Sequence, residues 1–138
     1  MQSGPIPAAM VWRRLVPVAA GAAALNAALW GVGTLVGADL RIPSSPGGDD
    51  LQDLSIVPVL VVTVAALVLA TLLLSVLLKA FGPRGVLYFN LTAVGLCLLS
   101  LAAPLMLGID WGGKVLLVLM HLVVGAAAFF GLGRSILR

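Results

Sequence analysis

The chain has 138 residues, 62% of them hydrophobic and only 9% charged, with a mean hydropathy of +1.19 and a formal net charge of +3. Soluble domains are about 45–50% apolar and about 25% charged, so this composition excludes an ordinary soluble domain and points to lipid. The lone cysteine, Cys97, excludes an internal disulfide and a multi-cysteine metal site.

A membrane-crossing helix needs about 20 mostly apolar residues, and four stretches qualify. The first, 15–37, "LVPVAAGAAALNAALWGVGTLVG", follows Arg13 and Arg14. A cleaved signal peptide would have an apolar core of about 7–15 residues and a small-x-small cleavage site. This stretch is longer and lacks that site, so it is read as a retained span. Ala19, Ala23, Ala27 and Gly31 recur every four residues, with Ala20, Ala24 and Ala28 beside them. Small-residue rows let helix backbones approach closely in lipid, so span one is the expected packing centre, with span four as its close neighbour.

The loop 38–55, "ADLRIPSSPGGDDLQDLS", follows. Pro43, Pro46, Gly47 and Gly48 deny its middle regular structure, and "DDLQDLSIVP" reads as a short interfacial turn. Asp49, Asp50 and Asp53 form a solvated acidic cluster rather than a calcium site, which takes 6–8 ordered oxygens. Span two, 56–78, is rich in Leu and Val and is expected to face more lipid. "KAFGPRG", 79–85, stops one helix and starts the next at Gly82-Pro83, so spans two and three should form an antiparallel hairpin. Span three is 86–108, the turn "GIDWGG" is 108–113, and span four is 115–133. None of the four contains Asp, Glu, Lys or Arg.

Spans one and three end alike, in "TLVGAD" and "LMLGID". The expected cause is a shared stop device, a glycine followed by a polar residue. Pro17, Pro58 and Pro104 are placed in first or last turns, where proline costs little. Trp12, Tyr88 and Trp111 fall at the expected interfaces, where amphipathic rings collect.

Charge sets the orientation. Arg13, Arg14, Lys79, Arg84, Arg134 and Arg138 share one side, and that side has no acid. Arg41, Lys114 and all five aspartates lie on the other. The positive-inside rule puts the basic side in the cytoplasm. The expectation is an all-α integral membrane protein of the plasma (inner) membrane. Residues 1–138 form one four-transmembrane-helix up-down bundle with both termini cytoplasmic and 38–55 as an extracytoplasmic acidic loop. The basic balance reflects topology and contact with the bilayer. Nucleic acid is not an expected partner, because no soluble basic face exists.

At about 1.5 Å of rise per residue, Asn26, Cys97 and His121 fall in one layer near the midplane. Asn90, Thr92 and Thr71 fall in a second, nearer the cytoplasm. Intramembrane polar residues usually face the bundle interior or a cavity. His121, Asn26, Cys97 and Asn90 are therefore the candidate ligand-binding residues. His121 is expected to be neutral, donating to Asn26 or to a main-chain carbonyl. No catalytic pair, metal cluster or cofactor motif is visible, so no enzyme activity, metal or cofactor is expected.

Arg13-Arg14, the loop 38–55, and the run Lys114–His121–Leu122–Val123–x–Gly125 ending at Arg134 carry a resemblance over almost the whole chain. The sequence resembles an uncharacterised actinobacterial family of small four-span membrane proteins. The resemblance implies four spans and carries over no catalytic residue. The expected role is a non-enzymatic scaffold or accessory subunit, working as a homo-oligomer or within a larger membrane complex. The alternative is a small-molecule or lipid binder or transporter with a polar pocket near the midplane.

Overall fold

The computed structural model describes residues 8–45 and 48–134. Pro46 and Gly47 of the loop, and Arg138 of the basic side, lie outside them. The chain is built from α1 (Ala8–Leu35), a hairpin of β1 (Arg41–Pro43) and β2 (Leu51–Asp53), and α2 (Ile56–Phe81). A 3-10 turn (Gly82–Arg84), α3 (Gly85–Ser100), α4 (Ala102–Met106), α5 (Trp111–Ala126) and a π-helical segment (Ala127–Gly133) follow. Three stretches are long and apolar enough to cross a membrane: Ala9–Leu35, the 51-residue Ile56–Met106, and Trp111–Gly133. Large apolar side chains stand exposed along all of them, as expected of a surface that faces lipid.

Helix α1 begins earlier than the apolar run. Ala8–Leu15 supplies good helix formers, so the helix extends past the basic pair and Pro17 falls inside it rather than in its first turn. Proline has no N–H to return to the Arg13 carbonyl. The helix ends on Gly37, whose φ of 71° is left-handed. Gly37 N–H bonds to the Thr34 carbonyl at 3.3 Å and Ala38 N–H to the Gly33 carbonyl at 2.9 Å. That pair is a Schellman stop, which the glycine makes accessible.

The look-alike end of α3 is a different device. Among the described residues only Gly37 and Gly82 have positive φ, so Gly108 is not a left-handed cap. Pro104 does the work instead. It offers no N–H to the carbonyl four residues back, at Ser100, and α3 ends at that residue. Ser100 turns its hydroxyl to the Cys97 carbonyl at 2.7 Å. The chain resumes as the short α4 and then becomes extended at Leu107. The expected shared stop device is corrected to two unrelated ones.

The loop is more ordered than its Pro/Gly content suggested. Arg41, Ile42 and Pro43 pair antiparallel with Asp53, Gln52 and Leu51, so part of "DDLQDLSIVP" is a strand rather than an interfacial turn. Two inward-facing leucines at its base are what rescue it. Leu40 and Leu54 are buried while Gln52 and Asp53 face out, and Leu54 N–H bonds to the Leu40 carbonyl at 2.8 Å. Leu40 and Leu54 pack with Val59, Ile109, Leu117 and Met120 into one core cluster beneath the hairpin.

A second cluster fills the other end of the bundle. There Val11 and Ala22 of α1, Leu67 and Leu74 of α2, Phe89 of α3 and Leu132 of the π segment meet. On α2 the buried residues Val59, Thr63, Leu67, Thr71 and Leu74 make one stripe at helical spacing. Gly82, with φ 58°, ends α2 and lets the chain return α3 alongside it. Gly85 lies so close to the Leu77 backbone that a β-carbon there would collide with it. Phe81 and Tyr88 close the turn edge to face, with ring centroids 4.9 Å apart.

Two packing expectations need correction. Span two is not peripheral, since it buries a full stripe and packs on α1, which also meets α5 as expected. The peripheral helix is α3, whose buried residues are confined to Gly85, Val86 and Phe89. The first alanine row of α1 is half-buried to buried, whereas Ala20, Ala24 and Ala28 are exposed. Small residues still permit the close approaches, as at Gly131, where Val18 of α1 fills the space a side chain would take.

Candidate functional site

Asn26 is 2% exposed on α1. Its side-chain amide donates to the Thr63 hydroxyl of α2 at 2.8 Å. The Thr63 hydroxyl in turn donates to the Val59 carbonyl at 2.7 Å, one turn back on its own helix. Each hydroxyl offers one donor and accepts further bonds, so Thr63 is satisfied in both roles. The Asn26 Oδ1 atom is buried with no partner.

His121 is half-buried on α5. Its Nδ1 lies 2.7 Å from the Leu117 carbonyl, one turn back. A carbonyl only accepts, so Nδ1–H donates. The expected hydrogen bond from His121 to Asn26 is therefore corrected: Asn26 serves Thr63, and His121 takes the main-chain alternative. The physical reason is proximity along the helix, since the carbonyl four residues back is always within reach of a side chain that turns toward it.

Cys97 of α3 is half-buried and does meet the His121 segment. Its thiol points to the His121 carbonyl at 3.9 Å and fills the space that a side chain at Gly125 would need. The midplane layer is thus made of two separate contacts, Asn26 with Thr63 and Cys97 with His121. In the second layer, Thr71 donates to the Leu67 carbonyl at 2.8 Å and is fully buried, while Thr92 is exposed. Asn90 packs its Oδ1 against Gly133, buried and without a hydrogen-bond partner.

The π segment explains the placement of Gly133. A π turn inserts an extra residue into the helix and often marks a functional position. Here Arg134 N–H reaches the Phe129 carbonyl, five residues back. The wide turn sets Gly131 against α1 and Gly133 against α3, with Leu132 fully buried between them. A side chain at either wall would have to displace Val18 or Asn90.

The two helices do not close over the outer side of the Cys97–Gly125 contact. Between them lies an open groove of about 360 Å³, walled by Ala93, Cys97 and Leu98 of α3 and by Leu122, Ala126 and Phe130 opposite. Its walls are apolar apart from the thiol. At the Phe130 end stands Arg134, whose guanidinium carbon is 5.9 Å from the centre of the Phe130 ring.

The hairpin end is held by polar contacts that sequence reasoning missed. Trp30 Nε1 donates to the Leu54 carbonyl at 2.7 Å. Asp110 caps α5 by accepting from Gly113 N–H at 2.8 Å and also accepts from Asp39 N–H at 3.2 Å. Asp39 and Arg41 form a two-pronged pair, with Nε–Oδ1 and Nη2–Oδ2 both 2.5 Å. The Arg41 hydrogen bond holds the Asp39 carboxyl below its usual range, and Asp39 raises Arg41 in return. Asp before "WGG" is itself a cap signal. Thr63 could have been found by counting, since it lies seven residues after Ile56, about 10 Å, as His121 lies seven after Lys114.

A family of unknown function, DUF6069, matches residues 6–138. The chain belongs to that family. As a DUF6069 member it has no assigned biochemical activity. No curated protein and no solved structure matches the chain.

Proposed function

We propose that this DUF6069 protein crosses the bacterial plasma membrane four times, with both termini cytoplasmic, and serves there as a non-enzymatic scaffold or accessory subunit. The 51-residue stretch would be about 77 Å long as one straight helix, against a core about 30 Å thick. The left-handed Gly82 and the return of α3 along α2 favour two crossings, and the positive-inside pattern favours the orientation.

One observation carries the scaffold reading. His121 and Thr71 bond to their own helices, and the polar contacts between helices are fastenings, Asn26 to Thr63 and Cys97 to the His121 backbone. That is the chemistry of helix association in lipid. The face left for a partner runs from the outer half of α3 onto α4, where Leu99 is 72% and Met106 85% exposed.

The test has two arms. Fluorescent-protein fusions to the C-terminus and to the 79–85 turn should both report the cytoplasm. A fusion to the 38–55 loop should not. Native mass spectrometry after gentle solubilisation should show a homo-oligomer or a stoichiometric membrane partner. A monodisperse monomer carrying a polar small molecule would overturn the scaffold reading in favour of a midplane binding pocket.

A further inference from the structure

We propose that the groove between α3 and the α5–π rod holds an acyl chain of an anionic phospholipid, with the lipid phosphate on Arg134. Three observations fix the occupant. From Leu122 to Phe130 the wall is about 12 Å long, close to half of a core about 30 Å thick. That is the depth of one leaflet's chains. The walls give a polar solute nothing to bind except a thiol, whereas an acyl chain makes the packing contacts that the open groove leaves unmade.

Charge selects the headgroup. Arg134 is exposed, stacked near Phe130, and has no carboxylate partner among the described residues. The sequence has no acid after Asp110 and none between Asp53 and Asp110. An arginine held against an aromatic ring keeps its planar fork free for two hydrogen bonds to a phosphate. Groove and cation thus form a continuous amphipathic slot, with its greasy part toward the midplane and its cation at the helix end.

The proposal rests on the orientation above only for the leaflet, which it makes the cytoplasmic one. The experiment is native mass spectrometry of the full chain in detergent with phosphatidylglycerol or phosphatidylcholine of identical acyl chains. The unaltered chain should retain one phosphatidylglycerol in preference to phosphatidylcholine. Arg134→Gln should reduce that preference about fivefold, the effect of one arginine near an anionic surface. Ala126→Trp, which plugs the groove from an exposed position, should lower retention of both lipids. Lys79→Gln, a cation distant from the groove wall in sequence, should change neither.

An unchanged preference in Arg134→Gln overturns the headgroup assignment whether or not Ala126→Trp folds. Equal retention of glycerol 3-phosphate, which has no acyl chain, overturns the groove. A dimer that Ala126→Trp dissociates makes a second copy the occupant and also overturns the proposal. Binding in detergent together with a non-cytoplasmic C-terminal fusion would leave the site standing and reject only the orientation.

Discussion

The α1–α2 seam and the α3–α5 seam are both built from apolar helices, yet one is sealed and the other is open. Across the first, Leu67 and Leu74 are wholly buried and Asn26 reaches Thr63 across the interface. Across the second, a thiol rests on a backbone carbonyl at one level, Asn90 rests on Gly133 at another, and an open groove lies along the seam. The difference lies in where the small residues fall. Ala19 and Ala22 lie within the α1–α2 core, while Gly125 and Ala126 face a helix that Pro104 has already released from its outer continuation. Close packing needs small residues on a surface that is held in place. Loose packing leaves room for lipid.

The comparison breaks most sharply at its glycines. Gly85→Ala should cost about 3 kcal/mol, because its β-carbon meets the Leu77 carbonyl group and the Leu78 nitrogen, which are backbone atoms that cannot step aside. Gly125→Ala should cost about 1 kcal/mol, because it meets only the Cys97 side chain on the movable helix. Thermal unfolding of both variants in one detergent gives the difference. Equal losses would mean that the α3–α5 seam is as rigid as the tight α2–α3 turn.

The leucines sharpen it next. Leu67→Ala should lose about 2 kcal/mol, the low end of the usual range, since in lipid the cost is lost packing with little transfer term. Leu98→Ala, on the open helix, should stay within about 0.5 kcal/mol. Asn26→Ala comes below Leu67→Ala, at about 0.6 kcal/mol. Thr63 keeps its bond to Val59, and the unpartnered Asn26 Oδ1 disappears with the side chain. A loss above about 2 kcal/mol would show that Asn26 does more than bridge.

The smallest effect belongs to the hairpin and depends on pH. The Asp39 carboxyl is held below its ordinary value of 3.8 by Arg41. A lowered folded value means that the pair stabilises the hairpin fully above 3.8 and is lost as pH falls through the lowered value. Amide protection at Leu54, whose N–H bonds across the hairpin base, should fall in that acid window. Asp39→Asn should remove the dependence. Protection that rises on acidification would reverse the sign.

Much of the bundle was legible because a lipid-facing helix announces itself by unbroken hydrophobicity. The start of α2 at Ile56, the turn at Gly82 and the stop at Gly37 followed from composition and backbone freedom alone. What was not legible depended on rotation about a helix axis. In a soluble helix the polar face reports which way a residue points. In spans that are apolar all round that signal is gone, so Asn26 and His121 were matched by depth when they differ in facing. The same loss made Leu-rich α2 look peripheral and hid α3. The hairpin was missed for another reason: prolines and glycines at its tip masked the two leucines at its base, Leu40 and Leu54, which point inward. Asn90 was grouped with Thr92 and Thr71, but its neighbour Gly133 is set by a π turn that no apolar pattern encodes.

The open seam is the central claim, and Cys97 supplies the probe because it is the only cysteine in the chain. A nitroxide attached to Cys97 in bilayers reports its surroundings through collisions with oxygen, which concentrates in lipid, and with a water-soluble nickel chelate. Frequent collisions with oxygen and few with nickel are the predicted result, placing the groove in the acyl chains. Frequent nickel collisions would mean a water-filled polar pocket, and few of either would mean a sealed seam. Both would contradict the account.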